Sequence, residues 1–440
     1  AVSNITAAYV TPKLFCQLFV HTASSATAVE LFERIEPERP TDKEILDEYT
    51  NIFNLKVKDD ALIRDIGVSI AVIMDENEQD LIKYLISLYN ANIEEVESFL
   101  VPQQEAIRTS ISFAFLEKKS LLPECISFIT TTALKDTIPV ARENYIKLCY
   151  YFLENFQPQE KLELYQRFYA LLNLTPVSNI ENNVLRISLI ELCKKIVHEN
   201  HNLVDDFMTC IIKFNIRSPH EGLREVCAKV LSQLAKKNPH TIDPLMDQLL
   251  GTIDTIKGTD RLLGFAYTYA ALLSAQGIAS LKNRNVFDFT DELSKSKDTN
   301  KRTLASFIFS GLSFLFRSMI EPSLPRILPV VLALFGDKSQ DVRDAADQAS
   351  QSIVKNLTKA CGERVLPYAL QNVENDNSWR VQHAAILLVS SVIKGGTKNI
   401  QKFIPNIVSA LSKATKSAYS QVKNSAGEAL ELIRGLITNE

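Results

Sequence analysis

Residues 340–353 read QDVRDAADQASQSI, residues 379–392 read WRVQHAAILLVSSV, and residues 420–433 read SQVKNSAGEALELI. Aligned on Val342, Val381 and Val422, they share one pattern. Small or apolar residues follow each valine at i+3, i+4, i+7 and i+11. These are Ala345, Ala346, Ala349 and Ile353; Ala384, Ala385, Leu388 and Val392; and Ser425, Ala426, Ala429 and Ile433. That spacing is one face of an α-helix. The alanines let a neighbouring helix approach closely, and the larger residues fill the seam. A preceding helix in each case carries Pro329, Pro367 or Pro405, about 38 residues apart, in the range of a two-helix solenoid repeat. The segment from Pro322 to Gly435 therefore predicts three stacked helix pairs of HEAT type rather than a closed globule.

The pattern extends outward. The residue after the first core position gives the series Arg64, Arg108, Arg142, Arg186, Arg224, Arg261, Arg302, Arg343, Gln382 and Lys423, with a mean step of about 40 residues. The same face recurs at Ile63 with Ile66, Gly67, Ile70 and Met74. It recurs at Leu185 with Ser188, Leu189, Leu192 and Ile196, and at Leu223 with Val226, Cys227, Val230 and Leu234. It is looser around Arg108 and Arg142, where Lys118 and Asn144 take apolar places, and Asp260 and Lys301 precede Arg261 and Arg302. First helices are expected near 44–53, 80–89, 122–131, 160–172, 202–214 and 241–253, with Ala7 to Ile35 completing an earlier repeat. The fold class is thus an all-α HEAT solenoid of about ten antiparallel helix pairs with essentially no β-structure. Breaks are expected at Glu36–Thr41 and Leu174–Asn183, neither strong enough to divide domains. The recurring arginine is expected to pair with an acid of the adjoining repeat and fasten the stack.

Composition excludes several classes. The seven cysteines, Cys16, Cys125, Cys149, Cys193, Cys210, Cys227 and Cys361, are scattered and form no CxxC, which argues against a disulfide framework or zinc site. They read as buried hydrophobes of a reducing compartment. The run from Leu262 to Leu281 has the length of a membrane span but carries Tyr267, Thr268, Tyr269, Ser274, Gln276 and Gly277, and reads as a helix buried between neighbours. The chain opens on Ala1 with no signal-peptide pattern and reads as a piece of a longer protein. No Gly-rich phosphate loop, GxSxG or HExxH occurs, so neither an enzyme nor a cofactor site is expected. His198 and His201 lack a convincing third metal ligand, although Asp205 lies nearby. Gly395-Gly396 reads as a helix terminator.

The net charge of −4 identifies no partner, but its distribution is uneven. From Trp379 to Gly427 there is no Asp or Glu, and the window carries Arg380, Lys394, Lys398, Lys402, Lys413, Lys416 and Lys423. Lys413, Lys416 and Lys423 surround the turn inside the last repeat. Lys394, Lys398 and Lys402 surround the preceding inter-repeat turn, on the opposite edge. A second cluster, Lys295, Lys297, Lys301 and Arg302, occupies another intra-repeat turn. These ten cations are the candidate site for RNA or the ribosome, through salt-sensitive contacts with phosphates. Trp379, the single tryptophan, follows the N-cap-like Asp376-Asn377-Ser378 and is expected to pack on the previous turn rather than stack on a base.

From Asp260 onward the chain resembles a known family. The features that carry the resemblance are Arg261 with Gly264-Phe265-Ala266, Gly277-Ile278, Ser280-Leu281-Lys282 and Glu321-Pro322. They continue with Ile327-Leu328-Pro329, Phe335-Gly336-Asp337, Asp341-Val342-Arg343 with Ala345-Ala346-Asp347, and Val365-Leu366-Pro367. Ser378-Trp379-Arg380 and Ile404-Pro405-Asn406-Ile407-Val408 complete the set. In that order they resemble the elongation-factor-three-like HEAT region of the general control nonderepressible protein one family of translational activators. The resemblance covers somewhat less than half of the chain. It implies residues 1–258 as upstream HEAT repeats and residues 259–440 as the elongation-factor-three-like repeats. It also implies a cytoplasmic, membrane-free scaffold on stalled or collided ribosomes, in contact with ribosomal RNA and proteins. That scaffold would work with an ABC-cassette ATPase partner. It would support the kinase that phosphorylates translation initiation factor two alpha in amino acid starvation, bound through a segment outside this chain. The alternative is a HEAT-repeat nuclear transport receptor or phosphatase scaffold, which the basic C-terminal repeats disfavour.

Overall fold

The computed structural model describes residues 11–22, 41–53, 59–73, 78–93, 101–174, 182–356, 358, 362–374, 378–394 and 400–438. Glu36–Pro40, Met74, Cys361, Asp376, Asn377, Gly395, Gly396 and Lys398, named above, lie outside them. Among the described residues there is no strand. The helices are α1 (Pro12–Thr22), α2 (Asp42–Phe53), α3 (Asp60–Ile73), α4 (Glu78–Ala91), α5 (Val101–Lys118), α6 (Pro123–Thr131), α7 (Pro139–Asn155), α8 (Pro158–Leu174) and α9 (Asn182–Val197). They continue with α10 (Val204–Arg217), α11 (Glu221–Lys237), α12 (Ile242–Leu250), α13 (Thr259–Gln276), α14 (Ser280–Asn283), α15 (Val286–Ser294) and α16 (Thr299–Phe316). The last are α17 (Leu324–Leu334), α18 (Gln340–Asn356), α19 (Gly362–Val373), α20 (Trp379–Lys394), α21 (Ile404–Ala414) and α22 (Ser420–Thr438).

All ten second helices expected from the basic series are present, as α3, α5, α7, α9, α11, α13, α16, α18, α20 and α22. The chain forms two compact units, residues 1–176 with 184–196, and residues 177–183 with 197–440. In the first unit α3, α5 and α7 pack in succession, as do α4, α6 and α8 in a second layer. In the second unit α11, α13, α16, α18, α20 and α22 form one layer, and α15, α17, α19 and α21 the other. Each layer buries the other's apolar face, which a single pair could not do alone.

The sequence template is the buried seam. Val342, Ala345, Ala346, Ala349 and Ile353 are all buried, as are Val422, Ala426, Ala429 and Ile433. Asn144, at an expected apolar place, is buried and donates to Ser112 Oγ at 3.0 Å, so its amide is not left dry. α13 is buried from Leu262 to Leu273, as expected for a helix between two neighbours. The stretch Thr299–Leu334 is also apolar enough for a span by length and composition, and 78% of its most apolar window lies inside the array. Cys16, Cys125, Cys149, Cys193, Cys210 and Cys227 are buried and form no disulfide. Burial pushes the Cys16 and Cys125 thiols up to about 12, so they persist as inert thiols.

Pro329 and Pro367 sit inside α17 and α19, where each removes an N–H and crowds the carbonyl four residues back. In the last repeat a 3₁₀ turn, Ile400–Phe403, takes up that disruption, and Pro405 falls in the first turn of α21.

Two glycines stand at the i+4 position that alanine holds in the last three repeats. A Cβ on Gly67 would lie 2.3 Å from the Ser110 carbonyl oxygen, and one on Gly264 2.3 Å from that of Asn215. Backbone sets both distances, so no side chain can swing away. Gly264→Ala is expected to lower unfolding stability by about 1–3 kcal/mol in urea titrations. Gly427→Ala, in α22 with nothing within 4 Å, is expected to raise it by about 0.5–1 kcal/mol.

Candidate nucleic-acid interface

The basic series explains which cations are available. In four repeats the ladder arginine sits in the first turn of its helix, and its side chain reaches back over the turn before it. Nη1 donates to the carbonyl six residues earlier in four repeats: Arg142 to Asp136 at 3.1 Å, Arg224 to Ser218 at 2.8 Å, Arg302 to Ser296 at 2.9 Å and Arg343 to Asp337 at 2.6 Å. The expected pairing with the next repeat also occurs. Arg108 meets Asp136 at 3.2 Å, and Arg224 meets Asp260 at 3.7 Å. Arg302 grips Asp337 with two donors, at 2.7 and 3.1 Å. In the first unit Tyr89 also donates to Asp136, at 2.8 Å, closing a buried network. Gln382 replaces the guanidinium in its repeat and donates to the Val373 carbonyl at 2.8 Å.

The cluster at Lys295 is therefore largely neutralised. Lys295 pairs with Asp291 at 2.5 Å and Lys301 with Asp254 at 2.7 Å. Arg302 is buried between its own turn and Asp337, so it fastens the stack and is not presented at the surface. Lys297 stays exposed, and its carbonyl accepts from Arg302.

The C-terminal cations divide differently. Lys402 pairs with Glu363 at 3.6 Å and Lys413 with Glu374 at 2.9 Å, acids within α19 and just after it in the preceding repeat. Lys394, Lys416 and Lys423 are exposed and make no ion pair among the described residues. Lys416 and Lys423 flank the turn between α21 and α22. Lys394 ends α20, fifteen residues and about 22 Å along the helix from Trp379. The two patches thus stand at opposite ends of the helices, as expected.

The sequence did not single out Tyr419. Half exposed, it stacks on Trp379 with ring centroids 5.6 Å apart and planes 21° from parallel. Trp379 thus stacks on a ring of the following repeat. The Arg380 guanidinium lies 4.7 Å from the Trp379 ring centre. The only legible signal was an aromatic at each of two turns about one repeat apart. Beside the stack runs a groove of about 450 Å³ between α18 and α20, lined by Arg343, Asp344, Asp347, Trp379, His383 and Leu387, among others. Burial pushes the Asp347 carboxyl up and the His383 imidazole down. Among the described residues no group of His, Cys, Asp and Glu side chains is gathered to hold a metal.

Residues 263–430 match the family model described as the EF3 N-terminal HEAT repeat. The chain is 32% identical over 199 residues to the stalled ribosome sensor GCN1 of Homo sapiens, covering 45% of this chain and 7% of that protein. It is 30% identical over 224 residues to the eIF-2-alpha kinase activator GCN1 of Dictyostelium discoideum, covering 50% of this chain and 8% of that one. Elongation factor 3 of Gonapodya prolifera is 26% identical over 198 residues, 44% of this chain and 18% of its own length. The matches therefore span less than a tenth of either GCN1 relative. Among solved structures, karyopherin Kap121p bound to the C-terminus of the phosphatase Cdc14p aligns with TM-score 0.46 and 14% identity, over 98% of this chain and 47% of that one.

The two kinds of cation predict different losses. Asp337→Ala leaves the Arg302 charge buried, and should cost about 3 kcal/mol in denaturant unfolding. Burial pushes the Asp337 carboxyl up, but the bonds from Arg302 and the Ser339 amide more than offset this and hold it below 3.8. Its folded value is depressed, so its contribution is complete at neutral pH. It is lost as pH falls below about 4. A stability–pH profile of Asp337→Ala should therefore converge on that of the unaltered chain in acid.

Proposed function

We propose that this chain is part of a ribosome-associated HEAT scaffold that recognises stalled or collided ribosomes. It would support activation of the kinase that phosphorylates initiation factor two alpha in amino acid starvation. The observation that carries the reading is the exposed basic turn of Lys416 and Lys423, without an ion pair among the described residues, inside residues 263–430, which match the EF3 N-terminal HEAT repeat model. The scaffold acts by docking, with no bond made or broken in this segment. Its repeats hold several partners at once, so the affinities multiply. The partners are ribosomal RNA and proteins and an ABC-cassette ATPase. The kinase is reached through a segment outside these residues, and the setting is cytoplasmic. Residues 1–258 act as upstream HEAT repeats and 259–440 as the elongation-factor-three-like part. Lys413, Lys416 and Lys423 form one contact patch and Lys394 and Lys402, with Lys398, a second at the other end of the helices, with Lys297 contributing.

The test is co-sedimentation with monosomes and nuclease-resistant disomes at two salt concentrations. The chain is expected to prefer disomes and to dissociate as salt rises. Replacing Lys413, Lys416 and Lys423 together by Glu should weaken binding at least tenfold and flatten the salt dependence, while leaving thermal stability essentially unchanged. Equal binding by both proteins across the salt series would remove the basic turn from the interface.

A further inference from the structure

We infer that Tyr419, backed by Trp379, is a stacking platform for an unpaired base of single-stranded RNA. This rests on the reading of the basic turn as RNA-facing and adds to it a contact that phosphate attraction does not supply. Three observations converge. Tyr419 turns one ring face to Trp379 yet leaves half its surface exposed. A buried-face aromatic pair held this way is rigid, so a base stacking on the outer ring orders little further. The turn supplies the backbone contacts. The Lys423 amide donates to the Tyr419 carbonyl at 3.0 Å, which sets Lys423 one helical turn beyond Tyr419 on the same side of α22. Lys416 lies three residues before it. Neither makes an ion pair among the described residues, so they can meet the phosphates on either side of a base seated on the ring. Finally, Arg380 holds the Trp379 ring, and a guanidinium next to a stacked pair adds attraction for a nucleotide.

The surroundings select the direction. Asp344 and Asp347 line the groove on the α18 side of Trp379 and repel a phosphate there. No Asp or Glu lies between Trp379 and Gly427. A strand is thus directed across Lys416, Tyr419 and Lys423. Base readout by hydrogen bonds is not built in, so the platform accepts any base, with purines favoured by their larger faces.

Trp379 is the single tryptophan and reports directly on its own stack. The full chain is titrated with an eight-nucleotide oligoadenylate and with an equally charged abasic oligonucleotide, following Trp379 emission. Oligoadenylate is expected to quench the emission and to bind about tenfold more tightly than the abasic strand. Tyr419→Ala should abolish that preference, and Tyr419→Phe, which keeps the ring, should restore it. A preference that survives Tyr419→Ala would overturn the platform, as would saturation by oligoadenylate without a change in emission. If Lys416→Glu with Lys423→Glu loses both oligonucleotides while Tyr419→Ala loses neither, the basic-turn reading stands and the platform falls. If Tyr419→Ala weakens ribosome co-sedimentation but not RNA binding, the stack contacts a ribosomal protein, and the inference is wrong.

Discussion

Everything in this chain depends on how closely one second helix can lie against what precedes it. The template answers with residues that have little or no side chain at the contact. Ala346, Ala385 and Ala426 fill i+4, and at Gly67 and Gly264 the approach is too close even for a methyl group. Close approach brings polar backbone out of water, and the array supplies local partners. Ser110 Oγ donates to the Ile63 carbonyl at 2.8 Å across the same seam that Gly67 opens. Asn215 donates to the Gly264 carbonyl at 3.1 Å and to Thr268 at 2.7 Å. The small residue and its polar neighbour act together, one permitting the approach and the other satisfying it.

The ladder arginine has a second function besides the one its period suggested. Joining one repeat to the next was legible, because a basic residue recurring with the repeat suggests a recurring partner. Its grip on the carbonyl six residues back was not legible. That bond requires the turn to fold over the start of the second helix, a matter of turn geometry rather than residue type. The consequence is that Arg224 and Arg302 order their own turn as well as the contact beyond it. Where Gln382 stands, a shorter side chain reaches the end of the first helix instead. Where Lys423 stands, the charge is left outside.

Helix positions were readable to within a few residues, since a buried face repeated ten times averages out local exceptions such as Asn144. The surface was much less readable. Arg302 looked like a member of a cationic cluster because three lysines neighbour it in sequence, but burial and Asp337, thirty-five residues on, decide its role. The ion pairs of Arg326 with Asp288 at 2.6 Å, between first helices, and of Arg284 with Asp243, between a turn and a first helix, are likewise invisible along the chain. The stack of Trp379 on Tyr419 joins two turns that no local pattern connects.

These failures share a cause, which also explains where free charge remains. In a stacked array a side chain's neighbours lie about one repeat away as often as they lie beside it in sequence. Lys402 and Lys413 belong to a window without acids, yet Glu363 and Glu374 face them, each 39 residues earlier. The same step back from Lys416 reaches Asn377, and the helix template aligns Lys423 with Gln382, both uncharged. Charge summed along the sequence therefore overstates the patch, whereas charge summed down the repeat leaves Lys394 at one end of the helices and Lys416 and Lys423 at the other. The larger share of the free positive field stands at one turn, beside the aromatic pair, and a narrow field of that kind orients a charged strand as well as attracting it.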